Sequence, residues 1–313
     1  MQPRIFLVTG GLGFIGKYFV KRCLDLGHYV TNIDIVNYAA DRVAMQELAE
    51  CENYRFINAD IADLKHLAET DYVVNFAAES HVDNSIADNR QFCHSNILGV
   101  QRLLELTRAR SPVDAPHFIQ ISTDEVYGDI TDGVHRETDP LNPSNPYSAT
   151  KASADMLVFG WGRTYGVRYN IVRLSNNYGL HQYPEKLIPK SCGRMVRGLP
   201  ALMHGDGSYL RSWLHVEDSV DAIMTIIEKG EPSTIYNVSG NLEVPNIEVL
   251  RRLARILGVQ EEKAIVSVKN RVGQDLRYSL DDSRLRALGW KPRRDFDEEL
   301  QLIANNIDFR RFL

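Results

Sequence analysis

The chain has 313 residues, 44% hydrophobic and 25% charged, a globular balance that excludes disordered, collagen-like and coiled-coil chains. Its length suits one large or two interlocked domains. With 36 Lys and Arg against 41 Asp and Glu, the net charge of −5 offers no basic footprint for a nucleic acid, though a small anionic substrate stays open because local charge can oppose net charge.

Residues 5–8 read as a strand, Phe19, Val20, Cys23 and Leu24 recur behind it at helical spacing, and residues 29–34 read as a second strand ending in an acid, which together make a βαβ unit. Apolar runs at 54–57, 72–76, 118–122 and 169–174 continue the series, separated by helical patterns near 91–108 and 148–165. Uninterrupted apolar runs suit strands covered on both faces. The alternation therefore predicts an α/β fold, a Rossmann-type doubly wound parallel sheet. Beyond Asn176, Pro and Gly punctuation shortens the elements, with helical periodicity returning at 216–228 and 247–257. The expected division is a dinucleotide-binding domain over 1–175 that also receives parts of 206–238, and a smaller substrate lobe built mainly from 176–313.

Cys23, Cys51, Cys93 and Cys192 have neither zinc-site spacing nor the density of a secreted scaffold, so free thiols and no metal site are expected. The N-terminus lacks the pattern of a signal peptide, and no apolar run approaches the roughly 20 residues needed to span a bilayer. A cytoplasmic protein with no membrane partner is the expectation.

Thr9-Gly10-Gly11-Leu12-Gly13-Phe14-Ile15-Gly16 contains Gly-x-Gly-x-x-Gly from Gly11 and Gly-x-x-Gly-x-x-Gly from Gly10. Glycines are needed there because a pyrophosphate must approach bare backbone N–H groups at a helix N-terminus. A glycine turn with no ligand is the competing reading. The strand before the loop, the helix after it and Asp34 at the end of the next strand favour a dinucleotide. Asp34 would accept from ribose hydroxyls and repel a 2′-phosphate, which favours NAD over NADP. Asp60 and Ile61 could hold the adenine edge, and a helix-capping Asp60 is an equally good account.

Tyr147 and Lys151, four residues apart, share one face of a helix entered through Pro143, Asn145 and Pro146. An ammonium beside a phenol stabilises phenolate, so Tyr147 is expected to have a lowered pKa and to accept a proton from a hydroxyl being oxidised. Ile121-Ser122-Thr123-Asp124-Glu125-Val126-Tyr127-Gly128 puts two adjacent carboxylates at the carboxyl end of a predicted parallel strand, where open α/β sheets hold ligands. A polar strand exit or helix cap would read the same. The functional reading is elimination of water, which needs one group to take a carbon-bound proton and another to protonate the departing hydroxyl. Adjacent desolvated carboxylates tend to split their pKa values accordingly.

With these segments together the chain resembles, nearly end to end, the extended short-chain dehydrogenase/reductases, and within them the nucleotide-sugar 4,6-dehydratases, above all those acting on dTDP-glucose. The likeness runs through Ala77-Ala78-Glu79-Ser80-His81-Val82-Asp83, Ser122 to Gly128, Tyr147 to Ala152, Arg173-Leu174-Ser175-Asn176-Asn177-Tyr178-Gly179, residues 183–189, Gly205-Asp206-Gly207 and Trp213-Leu214-His215-Val216-Glu217-Asp218. Thr-Asp-Glu-Val-Tyr-Gly is the most specific, since related epimerases and decarboxylases do not usually carry the Asp-Glu pair. The resemblance implies Thr123, Tyr147 and Lys151 as a redox triad, Asp124 as acid and Glu125 as base. It implies NAD held at Gly10, Gly13, Phe14, Ile15, Gly16, Asp34, Asp60, Ile61, Ala77, Ala78, Ser80, Tyr147, Lys151 and Asn177. It implies a nucleoside-diphosphate sugar held by Ser80, Thr123, Asn176, Glu185, Lys186, Leu187, Arg211, Asn246, Arg271 and Gln274, with Arg211 suited to clamp the diphosphate bidentately. It also implies a homodimer through helices 91–108 and 148–165.

The chain departs from that pattern in places. Arg211-Ser212-Trp213-Leu214-His215 stands where Arg-Asp-Trp-Leu-Tyr is usual, Arg271-Val272-Gly273-Gln274-Asp275 replaces Arg-Pro-Gly-His-Asp, and Asn84 replaces an arginine. Tyr178-Gly179-Leu180-His181-Gln182-Tyr183-Pro184-Glu185 replaces Tyr-Gly-Pro-Tyr-His-Phe-Pro-Glu. These leave the triad and the acid pair intact and leave the nucleotide base and the sugar open. A 4-epimerase or a UDP-glucuronate decarboxylase is the rival enzyme, against which Asp124 and Glu125 argue. A non-catalytic NAD-binding regulator is the rival of another class, against which Thr123, Tyr147 and Lys151 argue.

Overall fold

The β-branched and aromatic runs of the sequence form, in chain order, β1 (Ile5–Thr9), β2 (Tyr29–Asp34), β3 (Tyr54–Asn58), β4 (Tyr72–Asn75), β5 (His117–Thr123), β6 (Tyr169–Leu174), β7 (Asn176–Tyr178), β8 (Ala201–His204), β9 (Leu210–His215), β10 (Thr234–Val238), β11 (Leu242–Pro245) and β12 (Ile265–Val268). The computed structural model describes residues 2–111, 114–270 and 272–312; Arg271 lies outside them. Seven strands make one sheet in the order β10-β6-β5-β4-β1-β2-β3, parallel at every pairing. The chain winds outward one way from β1 and the other way from β4. The crevice at the carboxyl ends of these two strands is therefore a topological switch point, where such sheets bind ligands.

Alternate residues of each strand face opposite layers. Phe6 and Val8 join Phe19 and Val20 of helix Phe14–Asp25, with Val220 and Ile223 of helix Val216–Lys229, on one face. Leu7 joins Leu103 and Leu104 of helix Val100–Arg108, with Ala154 and Val158 of helix Pro146–Tyr165, on the other. A buried polar thread crosses three strands: Thr9 Oγ1 donates to Asn75 Oδ1 at 2.5 Å, and Asn75 Nδ2 donates to Gln120 Oε1 at 2.9 Å. A fully satisfied thread of this kind penalises any slip in register.

The helix expected over 91–108 forms in three parts, Arg90–Cys93, a wider π-helical stretch His94–Gly99, and Val100–Arg108. The widening brings Asn96 to face the loop after β4. There its Nδ2 donates to Glu79 O at 3.0 Å and to Thr150 Oγ1 at 2.9 Å, and its Oδ1 accepts from Glu79 N at 2.9 Å. A π-bulge commonly marks a functional segment.

A second core gathers Tyr178, Ile188, Cys192, Trp213, Leu250, Leu253, Phe296, Leu300 and Ile303 around the small sheets β11-β9-β7 and β12-β8. The chain crosses between the two cores more than once: β10 joins the large sheet, and Leu285 and Trp290 pack with its helices.

Candidate active site

One cleft at the switch point is lined by most residues singled out above: Gly10, Gly13, Phe14, Ile15, Gly16, Asp34, Asp60, Ile61, Ala77, Ala78, Ser80, Thr123, Asp124, Glu125, Tyr147, Lys151, Asn176, Asn177, Glu185 and Lys186. Leu187, Arg211, Asn246 and Gln274 lie outside that lining. Leu187 opens helix Leu187–Val196. Asn246 opens helix Asn246–Ile256, its N–H donating to Tyr209 O at 3.0 Å. Gln274 has a buried Oε1 that meets no partner among the described residues.

At the dinucleotide end, Gly10 has φ of 69°, and a Cβ there would stand 2.6 Å from Ala77 N. Gly10 thus lets the loop pass tightly over the end of β4. Gly13 differs: its nearest contact would be Gly10 O at 3.2 Å, and it caps helix Phe14–Asp25 with no side-chain bond. The space beside Gly13 opens on the cleft and on first-turn N–H groups that have no intrahelical acceptor. Asp34 is held by Leu12 N on Oδ2 at 3.0 Å and by Val36 N on Oδ1 at 2.9 Å; burial nevertheless raises its pKa. With Ile35 N also bonding the carboxylate, three of its acceptor positions are taken and one is left for a further donor. Asp60 caps the short turn Ile61–Asp63 through Ala62 N at 2.9 Å and pairs its other oxygen with His94 Nε2 at 3.0 Å. Asn177 is held by Ser219, whose Oγ donates to its Oδ1 at 2.6 Å, and donates to Ser175 O at 3.0 Å.

At the chemical end, β5 terminates in Thr123, which caps the short 3₁₀ turn Asp124–Tyr127. Its Oγ1 accepts from Glu125 N at 3.3 Å and donates to Asp124 Oδ1 at 3.1 Å. The hydroxyl also hydrogen-bonds Tyr147. The cap and the acid pair are thus one structure, and the two sequence readings of this strand exit do not compete. Burial, and then the charge of Glu125, push the Asp124 carboxyl up to about 7. Oδ2 of Asp124 is buried without a partner, so with Oδ1 taking the Thr123 proton it is the oxygen free to carry one. Burial raises Glu125 as well, opposed by Asn145, whose Nδ2 donates to Glu125 Oε2 at 3.2 Å, and by the charges of Arg211 and Lys186.

The expectation for Tyr147 is corrected here. Burial, followed by the charge of Glu125, raises its pKa instead of lowering it. Lys151 does not offset this: its Nζ donates to Ile121 O at 2.6 Å, and desolvation lowers it to about 8 against the opposing charge of Asp155. The phenol is neutral in this state, because carboxylates crowd it and helical spacing alone does not fix where an ammonium points.

Arg211, only 7% exposed, is turned toward main chain, with Nη1 donating to Leu210 O at 2.6 Å and Nη2 to Asp275 O at 2.9 Å, and its guanidinium lies 4.5 Å from the centre of the Tyr278 ring. Lys186 spans the cleft mouth to Ser80 O at 2.9 Å, and Glu185 accepts from Tyr38 OH at 3.2 Å. Sequence reasoning missed Asn96 and Asn145 as organisers of this site. A mid-helix Asn and the Asn-Pro-Tyr-Ser capping pattern were the available signals.

The arrangement sets a proton-bearing acid, a base and a buried phenol within one desolvated pocket. The sign of the Asp124 shift gives a stability test. Its folded pKa of about 7 lies above the ordinary 3.8, so the native state holds this proton more tightly than the unfolded chain, and stability is lost as pH rises through that interval. Asp124→Asn cannot ionise, and should gain on the order of 1 kcal/mol or more relative to the parent protein between about pH 4 and pH 8, read by urea denaturation; a pH-independent difference would contradict the assignment.

Residues 7–303 match the family model described as GDP-mannose 4,6 dehydratase. The low-salt glycan biosynthesis protein Agl12 of Haloferax volcanii is 42% identical over 300 residues, covering 94% of this chain and 96% of that protein. The dTDP-glucose 4,6-dehydratase of Haemophilus influenzae is 40% identical over 321 residues, covering 94% and 95%. Among solved structures, DesIV of Streptomyces venezuelae, a dTDP-glucose 4,6-dehydratase crystallised with NAD and TYD bound, superposes with a TM-score of 0.92 at 36% identity over 96% of each chain. A 297-residue family match and relatives near 40% identity over almost the whole length leave one assignment: the chain belongs to the nucleotide-sugar 4,6-dehydratases of the extended short-chain dehydrogenase/reductase family.

Proposed function

We propose that this protein is an NAD-dependent hydro-lyase that removes water from an NDP-hexose, with dTDP-glucose the first substrate to test, to give the 4-keto-6-deoxy sugar. The observation that carries the reading is the pair formed by buried Asp124 and half-buried Glu125 beside Tyr147, both desolvated enough to raise their pKa values. A 4-epimerase or a decarboxylase has no use for a separate acid and base at this position.

The residues present fit the dinucleotide. The space beside Gly13 admits a pyrophosphate, and Asp34 keeps acceptor capacity toward ribose hydroxyls. NAD held by these residues would supply a reversible two-electron hydride acceptor for the C4 and C6 positions of the sugar. Tyr147 acts as the phenolate, its own proton passed through the Thr123 hydroxyl to Asp124, and in that form takes the C4 hydroxyl proton. Glu125 removes the C5 proton, acidified by the adjacent ketone, while Asp124 gives its proton to the departing C6 hydroxyl, so water leaves and a C5–C6 double bond forms; Glu125 then returns the proton to C5 as hydride is added at C6. Lys151, fixed on Ile121 O, keeps a positive charge behind the phenol. Lys186 and Ser80 at the mouth are the groups we assign to the diphosphate end; Arg211, outside the cleft lining with its guanidinium committed to Leu210 O and Asp275 O, is not set to clamp a diphosphate in this structure.

In the Glu125→Gln variant, formation of 4-keto sugar, assayed by its absorbance in alkali across dTDP-, UDP-, GDP- and CDP-hexoses, should fall at least about a hundredfold, the worth of a positioned general base. Undiminished turnover on a true substrate would make an epimerase the better reading. Calorimetry should find NAD bound more tightly than NADP, since the buried Asp34 repels a 2′-phosphate; the reverse order sinks the cofactor assignment.

We also propose a homodimer. Leu98, Met156, Phe159 and Tyr165 are exposed on the paired helices that run from Arg90 to Arg108 and from Pro146 to Tyr165, an apolar surface of the kind that partners cover. Light scattering at micromolar protein should return twice the chain mass, and a monomer would count against it. A cytoplasmic location fits the unpaired Cys23, Cys51, Cys93 and Cys192; among the described residues no helix is long and apolar enough to cross a membrane.

A further inference from the structure

Asn145 is 8% exposed, and its amide faces two elements at once. Oδ1 accepts from Ser148 N at 2.9 Å, and Ser148 Oγ accepts from Asn145 N at 3.1 Å, a reciprocal cap at the start of helix Pro146–Tyr165. Because the oxygen is committed to the cap, the amino end must point the other way. There Nδ2 donates to Glu125 Oε2 at 3.2 Å. One side chain thus ties the helix that carries Tyr147 and Lys151 to a carboxyl on the turn after β5. The next residue back, Ser144, donates its hydroxyl to Asp275 Oδ1, so the small lobe holds the same loop from its other side.

We propose that Asn145 is a positioning residue for the elimination step, which aims Glu125 at the substrate and breaks the symmetry of the acid pair by giving a hydrogen-bond donor to Glu125. A donor favours the charged form of the carboxyl it meets. Asp124, with Oδ2 unpartnered, is left as the member that keeps a proton. Other charged and titratable groups face Glu125: Asp124 beside it, Tyr147 from the helix, Arg211 from β9, Lys186 from the cleft mouth, and Asp275 and Tyr278 from the segment after Val272. Arg211 and Lys186 act at long range and from flexible or otherwise bonded side chains. Asn145 is held in place by its cap.

This inference rests on the dehydratase reading, and the test separates the two. Asn145→Asp keeps the capping oxygen and the size but turns a carboxylate oxygen toward Glu125; Asn145→Ser keeps a good cap and is too short to reach it. Both should melt close to the parent protein. Both should lose roughly tenfold or more in kcat with KM little changed, as expected for a hydrogen bond to a charged group. In Asn145→Asp the acid limb of the kcat profile should also move to higher pH. Added to Glu125→Gln, either change should cost little more, because the two act through one carboxylate. Parental kcat and pH profile in Asn145→Asp would overturn the proposal, as would activity in both variants that falls only in step with melting temperature. If the parent protein dehydrates no NDP-hexose, the dehydratase reading fails by itself. The positioning claim is then read from NMR titration of glutamate carboxyls, with the Glu125 signal assigned by Glu125→Gln, and a Glu125 midpoint unmoved by Asn145→Asp would overturn it.

Discussion

Two adjacent carboxyl groups, Asp124 and Glu125, sit in a pocket that withdraws both from water, and much of the surrounding structure answers that single cost. Burying one ionised carboxylate is expensive, and burying two side by side adds their repulsion. The chain meets this in three ways. Asp124 is drawn toward its neutral form at about 7. Thr123 and Asn145 give hydrogen bonds to the pair. Arg211 and Lys186 bring positive charge to the pocket from the small lobe and the cleft mouth. The acid and base roles we propose follow from this settlement, since it is what makes two similar side chains unlike each other.

The floor of the site has to be stiff for so small an asymmetry to matter. The thread Thr9–Asn75–Gln120 fixes the register of β1, β4 and β5 beneath it. Asn96 ties the loop after β4 to Thr150 on helix Pro146–Tyr165. Behind that helix, Arg173 is buried against Asp155 at 2.9 Å and against Tyr127 OH at 2.6 Å, with Tyr127 bonded in turn to Asn237 at 2.8 Å. Buried polar groups of this sort are costly when one partner is lost, so they define a single packing for the elements they join.

How much of this was legible beforehand follows from where the information lies. The parallel sheet and the glycine loop are local patterns: residues 5–34 alone carry strand, turn, helix and acid, and the structure reproduces them as β1, helix Phe14–Asp25 and β2. The small lobe is different. β7 has three residues and β11 four, too short for any periodicity, and both exist because β9 lies between them. The π-helical stretch over His94–Gly99 buries Asn96 and Gly99 and leaves Leu98 exposed, so no apolar stripe announces it in the hydrophobic pattern. The direction of the Tyr147 shift was missed for a related reason. Four-residue spacing places Lys151 on the right face, but the sign depends on Glu125 and Asp124 from another element and on Ile121 O capturing the ammonium.

Thr123 joins the halves of the site that we propose for redox and for elimination, through a hydroxyl with one proton and two acceptor lone pairs. In this structure the proton goes to Asp124 Oδ1, and one lone pair takes the Glu125 N–H. The remaining lone pair is the one that can receive the Tyr147 phenol proton, consistent with a neutral tyrosine. A Tyr147 stripped of its proton would need a donor instead, and the Thr123 proton is within its reach. Giving that proton to Tyr147 removes it from Asp124, whose carboxyl would then hold its own proton on either oxygen. The state of the phenol and the proton placement of the acid are therefore linked through one side chain, at a site where burial already holds Asp124 near the middle of its titration at neutral pH. A threonine at the end of β5 serves this link where a serine would be freer to turn, because its branched Cβ restricts χ1 and fixes the direction of the hydroxyl.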